Sequence, residues 1–285
     1  MFQEQTVGFI GSGTMAEAMI KVMLDKKLTL PQGILASGPR PERGAELVEK
    51  YGVRVTTDNA AVAQECDIVV LSVKPQVLPE VLPELRGQIQ PAAVVFSIVA
   101  GVPIATLARG LDHKAVIRCM PNTPAQIGQG MTVWTSSQEV SEEQRAQAQA
   151  ILQAMGEEVY VHQEIKLDMA TAVSGTGPTY VFLMMEAMVD AAVHLGFSRR
   201  VAKQLALQTV LGSVLFAAQS DKHLAELRNM VTSPGGTSAD AIYQLEKGSL
   251  RTVLSKAIWA AYQKSRLLAD MILAPNGPER QGLGE

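Results

Sequence analysis

The hydrophobic pattern changes character partway along the chain. Up to about residue 163, short apolar runs (TVGFI, GILAS, VRVT, DIVVLSV, AVVFSI, KAVIRCM) alternate with helical-period segments such as 15–24, 41–51 and 76–85. Near-continuous apolar runs mark strands buried on both faces, and their alternation with helices predicts a parallel, doubly wound α/β sheet. MTVWTS and EEVYVH flank a helical SEEQRAQAQAILQAMG and are expected to extend that sheet at one edge. Beyond residue 163 strand signals stop. Helical patterns follow at 165–173, 179–195, 198–219, 224–230, 239–246 and 250–272. The expected organisation is a sheet domain over 1–163, an all-helical domain over 164–274, and a disordered, turn-rich tail over 275–285. The apolar faces of LALQTVLGSVLFAA and TVLSKAIWAAY exceed what one small bundle hides, so pairing with a second subunit is expected.

Composition narrows the class. The chain has 285 residues, 47% of them apolar, with 25 basic against 28 acidic side chains. That supports a sizeable core, and no single-sign block suggests nucleic-acid binding. Two cysteines, Cys66 and Cys119, lie in apolar runs and read as reduced core thiols. The histidines His113, His162, His194 and His223 are scattered without metal-ligand spacing, so no metal is expected. The segment TYVFLMMEAMVDAAVHLGF is long and apolar, but Glu186, Asp190 and His194 recur on one helical face, which is costly in lipid. A soluble, cytoplasmic protein is expected, since the amino terminus shows no basic region followed by an apolar leader.

The first strand runs into Gly11-Ser12-Gly13-Thr14-Met15-Ala16, a G-x-G-x-x-A at the mouth of a helix. The first glycine permits the tight turn, the second lets backbone approach a pyrophosphate, and Ala16 lets helix and strand pack closely. The helix start then offers free N–H groups to phosphate. This predicts a Rossmann dinucleotide site. The next strand ends Ala36-Ser37-Gly38-Pro39-Arg40, then Arg43, with no acidic residue to hold a ribose hydroxyl. Ser37 with Arg40 or Arg43 suits a 2′-phosphate, which favours NADPH, with NADH possible. Further strand ends carry Ser72, Val73, Lys74 and Pro75, and Ile98, Val99 and Ala100, where a nicotinamide ring can lie against backbone. Asn59 either caps the helix after VRVTT or touches the adenosine side.

MPNTP at 120–124, together with VKPQ, AVSGTGPTYVF and VTSPGGTS, resembles pyrroline-5-carboxylate reductase in motif order and spacing over nearly the whole chain. The resemblance implies a Rossmann domain, a helical domain that interleaves into a homodimer, and assembly into a larger ring such as a decamer. It implies NAD(P)H-dependent reduction of a cyclic imine, the last step of proline synthesis. It matches the cofactor loop at Ile10 to Met15, the adenosine end at Ser37 and Asn59, and the nicotinamide side at 72–75 and 98–100. It places the substrate region at Glu164, Asn122, the turn Ser174, Gly175, Thr176, Gly177 and Pro178, and Ser233, Pro234, Gly235, Gly236, Thr237 and Ser238. The chain departs from the family at Thr176, Thr179 and Ser238, the first and last keeping a hydroxyl, and at Met230, where some members carry asparagine.

On this reading the glycine turn at 233–238 gives N–H donors to a small carboxylate at a helix start. Ser238 bonds the imine nitrogen and orients the ring, with Thr237 giving its backbone N–H. The rival role for both hydroxyls is helix capping. Two other functions remain open: reduction of another small cyclic imine, and a non-catalytic NADP-binding sensor. Hydroxyacid dehydrogenases of similar layout rely on a lysine in the second domain, and the helix from Thr179 has none.

Overall fold

The computed structural model describes residues 5–273, so the tail at 275–285 lies outside the described residues. Eight strands form one sheet: β1 (Val7–Ile10), β2 (Ile34–Ser37), β3 (Arg54–Thr56), β4 (Ile68–Leu71), β5 (Val94–Ser97), β6 (Val116–Met120), β7 (Gly130–Ser136) and β8 (Gly156–Tyr160). Their spatial order is β3-β2-β1-β4-β5-β6-β7-β8. All neighbours are parallel except β6 and β7, so the expected extension by MTVWTS and EEVYVH joins one edge through a single antiparallel step.

The sheet carries helices on both faces: α1 (Thr14–Asp25), α2 (Pro41–Tyr51), α3 (Asn59–Glu65), α4 (Leu78–Leu85), α5 (Ile104–Leu111) and α6 (Glu142–Met155). Alternate strand residues feed two cores. Val7, Phe9, Val70, Phe96 and Ile117 pack with α1 and α6 side chains such as Met19, Ile20, Ile151 and Leu152. Ile10, Val69, Leu71, Val95 and Val116 pack with Val62, Leu78, Val81 and Leu107 from α3, α4 and α5. Because both faces are covered, the strands have no polar alternation to show, which is why they read as continuous apolar runs. Both cysteines are free and buried, and burial pushes the Cys66 thiol up to about 12.

Local signals set several boundaries. Pro41 starts α2 and Gly52, in the left-handed region, ends it. Ser141 and Gln144 form a reciprocal capping box on α6. Asp58, rather than Asn59, caps α3, accepting from the amides of Ala60 and Ala61.

The remaining helices are α7 (Ile165–Ala170), α8 (Gly177–His194), α9 (Arg199–Ala218), α10 (Leu224–Met230), α11 (Thr237–Lys247) and α12 (Leu250–Leu273). Between α7 and α8 the chain makes a π-helical turn, Thr171–Gly175. SGTGP therefore widens a helix instead of stopping it. The chain divides into two compact units. One holds the sheet through Thr176 together with residues 261–273, and the other is Gly177–Ala260.

Within the second unit α8 packs on α9. Its apolar surface is largely uncovered: Phe182 is 61% exposed, Phe216 55% and Trp259 60%. Among the described residues one helix, α9, is long and apolar enough to cross a membrane. The apolar stretch singled out from sequence, 179–197, does not meet that test.

Gly156 joins α6 to β8 at φ 139°, and a Cβ there would fall on the backbone of Gly130. Gly156→Ala is expected to cost about 2–5 kcal/mol from overlap and backbone strain together. Urea unfolding would show this as a lower midpoint with an unchanged slope.

Candidate active site

The parallel register puts Ser37, Ile10, Leu71 and Ser97 in one row at the carboxyl ends of β2, β1, β4 and β5. The loops at 11–15, 38–40, 72–75 and 98–100 leave the sheet from that row. The strand order reverses between β1 and β4, the place where a doubly wound sheet opens a crevice. Gly11 sits at φ 100°, and a Cβ on it would lie 2.9 Å from the Val73 amide nitrogen. Ser72 Oγ donates to the Gly11 carbonyl at 2.7 Å and closes the turn. The first bond of α1 runs from Glu17 N–H to the Gly13 carbonyl, so the amides of Thr14, Met15 and Ala16 lack intrahelical acceptors. A Cβ on Gly13 would meet nothing within 4 Å, which leaves room for a phosphate. A cavity of about 400 Å³ lies there, lined by Gly13, Thr14 and Glu17 of the loop and α1, Arg40, and the α2 side chains Glu42, Arg43 and Glu46. The unused amides at the start of α1, with Arg40 beside them, fit a dinucleotide phosphate.

The side chains expected at the 2′-phosphate divide into three roles. Ser37 is fully buried, and its hydroxyl lies 2.7 Å from Asn59 Oδ1 and 3.3 Å from the Phe9 carbonyl oxygen. It supports Asn59, whose Nδ2 donates to Glu84. Arg43 is a strut: its Nε donates to the Ser12 carbonyl at 3.0 Å and its guanidinium ion-pairs with Glu17 and Glu46. Arg40 forms no ion pair with a described residue and lines both this cavity and a neighbouring one of about 220 Å³ with Gly38 and Thr56. Lys74 is exposed after β4, and Val99 is buried with its N–H on Ser97 Oγ at 3.3 Å.

Asn122 of MPNTP and Ser174 of SGTGP meet within the first unit. Pro178 has no N–H to give to the Ser174 carbonyl, the i−4 acceptor of a regular helix. Asn122 Nδ2 takes that place at 3.0 Å, while its Oδ1 accepts from the Met131 N–H at 2.9 Å. Ser174 and Thr176 hydroxyls donate to carbonyls of the preceding turn, Ala170 and Thr171. Glu164 is held from two sides. Its Oε1 accepts from the Ile104 N–H at 2.7 Å and pairs with Arg118 at 2.9 Å.

Arg118 and Asp168 escaped the sequence reading. Arg118 is 3% exposed and also pairs with Asp168 at 2.8 Å, beside Ser265. The available signals were an arginine inside an apolar strand and two carboxylates four apart at a helix start. Breaking such a buried pair by deleting one partner costs about 3–5 kcal/mol.

The stretch at 233–238 belongs to the second unit. Gly235 turns the chain at φ 70°, and Gly236 is the N-cap of α11. The first α11 bonds run from Ala239 and Asp240 to the Gly236 carbonyl. The amides of Thr237 and Ser238 thus lack intrahelical acceptors, and no side-chain hydroxyl caps the helix. Among the described residues no group of three His, Cys, Asp or Glu side chains forms a metal cluster. His113 is buried with Nε2 2.8 Å from the Ala93 carbonyl, and burial lowers its pKa.

Glu17 links the glycine loop to acid stability. Its hydrogen bond to Arg43, helped by Lys50 and Tyr51, holds its carboxyl down at about 2. A depressed folded pKa contributes stability that is complete above the ordinary carboxylate range and is lost as pH falls toward 2. Glu17→Gln is therefore expected to be about 1–3 kcal/mol less stable than the parent at pH 7, with the gap closing between about pH 5 and 2. Urea midpoints measured across that range check it; a gap independent of pH would contradict it.

Comparison with known proteins places this geometry in a family. Residues 164–268 match the family model described as pyrroline-5-carboxylate reductase dimerisation, and residues 6–101 that described as NADP oxidoreductase coenzyme F420-dependent. A pyrroline-5-carboxylate reductase of Synechocystis is 41% identical over 92% of this chain and 97% of its own. One from Pseudomonas aeruginosa is 39% identical over 93% and 97%. The crystal structure of Plasmodium falciparum pyrroline carboxylate reductase with NADP bound superposes with a TM-score of 0.87 at 30% identity, over 94% of this chain and all of that one. With its Rossmann edge, helical second unit and family motifs in order, the chain belongs to the pyrroline-5-carboxylate reductase family.

Proposed function

We propose that this chain reduces L-Δ1-pyrroline-5-carboxylate to L-proline with NADPH, as a homo-oligomer. One observation carries the reading: the amino terminus of α11 offers two backbone amides and two hydroxyls that its own helix does not use. That is a cradle for a small carboxylate, in a chain whose other unit offers amides for a dinucleotide phosphate. NADPH, when bound, supplies the hydride for the imine carbon.

The protein's share is positioning. The amides of Thr237 and Ser238 hold the substrate carboxylate, and Gly235 and Gly236 bring backbone close without a side chain in the way. The Ser238 hydroxyl bonds the ring nitrogen. The imine nitrogen gains its proton before or during hydride arrival, and a weakly basic imine carries it near neutral pH, so no strong acid is required. Asn122 and Glu164 act by holding the SGTGP turn and the start of α7. Arg40 is the cation for a 2′-phosphate. We put the functional division of the chain between residues 163 and 164, a reading supported by the family match that starts at 164. We place the enzyme in the cytoplasm and extend the dimer to a larger ring such as a decamer.

Absorbance of NADPH with and without pyrroline-5-carboxylate tests the activity. Oxidation only with the five-membered imine supports it, preference for a six-membered imine reassigns the substrate, and cofactor binding without oxidation indicates a sensor. Arg40→Ala is expected to raise KM for NADPH about tenfold while leaving that for NADH unchanged. Ser238→Ala is expected to lower kcat/KM for the imine at least about tenfold; an unchanged value removes the hydroxyl from the mechanism.

A further inference from the structure

The row of strand ends does not stop at the cofactor loops. Arg118 on β6 is in register with Ser97 on β5, at the level from which the loop at 98–100 departs. Its guanidinium reaches two carboxylates on one face of α7 and its N-cap, Glu164 and Asp168, at 2.9 and 2.8 Å. Residues four apart stack on one side of a helix, so gripping both removes the freedom of α7 to rotate about its axis. The same Glu164 oxygen accepts the Ile104 N–H, the first amide of α5, which follows the 98–103 loop. One buried cation therefore ties together the loop expected to face the nicotinamide, the end of β6 that continues into MPNTP, and the helix that continues into the SGTGP turn. Ser265 of α12 adds a contact to Asp168 at 3.5 Å. A well-packed apolar residue at 118 would secure a core at no desolvation cost. A planar bidentate cation adds angular definition, which a hydrophobic contact does not.

We propose that Arg118 is a positioning residue for the reduction. Acting through Glu164 and Asp168, it sets the phase of α7 and of the turn Ser174 to Gly177, so that imine affinity depends on a side chain that never touches the imine. The inference rests on the reductase reading above.

The test uses full-length enzyme and compares Arg118→Lys, Asp168→Ala and Asp168→Asn. Lysine is a point donor and holds one carboxylate at a time. Asparagine keeps an oxygen for Arg118 and serves as the conservative rescue. Each variant is measured for NADPH affinity by nicotinamide fluorescence and for kcat and KM with pyrroline-5-carboxylate. Arg118→Lys and Asp168→Ala are expected to bind NADPH within about twofold of the parent while KM for the imine rises at least about tenfold, with Asp168→Asn restored to within about threefold. An unchanged imine KM, a parallel loss of NADPH affinity, or Asp168→Asn as impaired as Asp168→Ala would overturn the proposal. Should Arg118→Lys fail to fold, the Asp168 pair decides alone. Failure of the parent enzyme to oxidise NADPH would instead overturn the reductase reading.

Discussion

Between β1 and β4 the chain leaves the sheet in opposite directions, and their register places Ile10 beside both Ser37 and Leu71. That alignment forces the glycine turn against the end of β4. Gly11 must do without a Cβ because the Val73 amide stands where one would be, and Ser72 closes the gap from the other side. The start of α1 is thereby held with unused amides facing outward. The outer arginine, Arg43, reinforces the turn through the Ser12 carbonyl and Glu17. Arg40 lines the pocket with no ion pair to a described residue. Several side chains at this end hold the backbone of the turn still.

Much of this was legible in the amino-acid pattern, and the exceptions share a cause. Strands show as apolar runs because both faces of the sheet are buried, and α2 shows to the residue because Pro41 and Gly52 enforce its ends. The stretch at 233–238 shows as a turn into a helix because its glycines mark the entry, Gly235 at positive φ and Gly236 as the N-cap of α11. The partner of Ser37 was not legible, because only the fold brings Asn59 within 2.7 Å of it. Arg43 was indistinguishable from Arg40 until α1 brought Glu17 alongside. SGTGP reads as a helix stop, yet Asn122, far away in sequence, satisfies the carbonyl that Pro178 strands. Arg118 and Asp168 are buried charges whose pairing is entirely non-local. What was missed is tertiary neutralisation, which no local pattern encodes.

The helical unit raises a complementary point. Phe182, Phe216 and Trp259 are each more than half exposed, and α9 is apolar enough to resemble a membrane span. A monomer in water rarely carries so much uncovered apolar surface. The match of residues 164–268 to a dimerisation region gives that surface a partner in a second copy of the chain. The charged positions Glu186 and Asp190 on α8, the latter paired with Arg199, keep one edge polar. Stability and assembly are therefore joined in this half, whereas the sheet half buries its own core.

The central claim is that the α11 cradle receives the substrate carboxylate while the sheet edge receives the cofactor. A crystal structure of the enzyme with oxidised cofactor and L-proline tests it most directly. The account predicts the proline carboxylate on the amides of Thr237 and Ser238, its nitrogen at the Ser238 hydroxyl, and the nicotinamide C4 about 3–3.5 Å from a ring carbon. A carboxylate bound elsewhere, with those amides facing solvent in every copy, would contradict it.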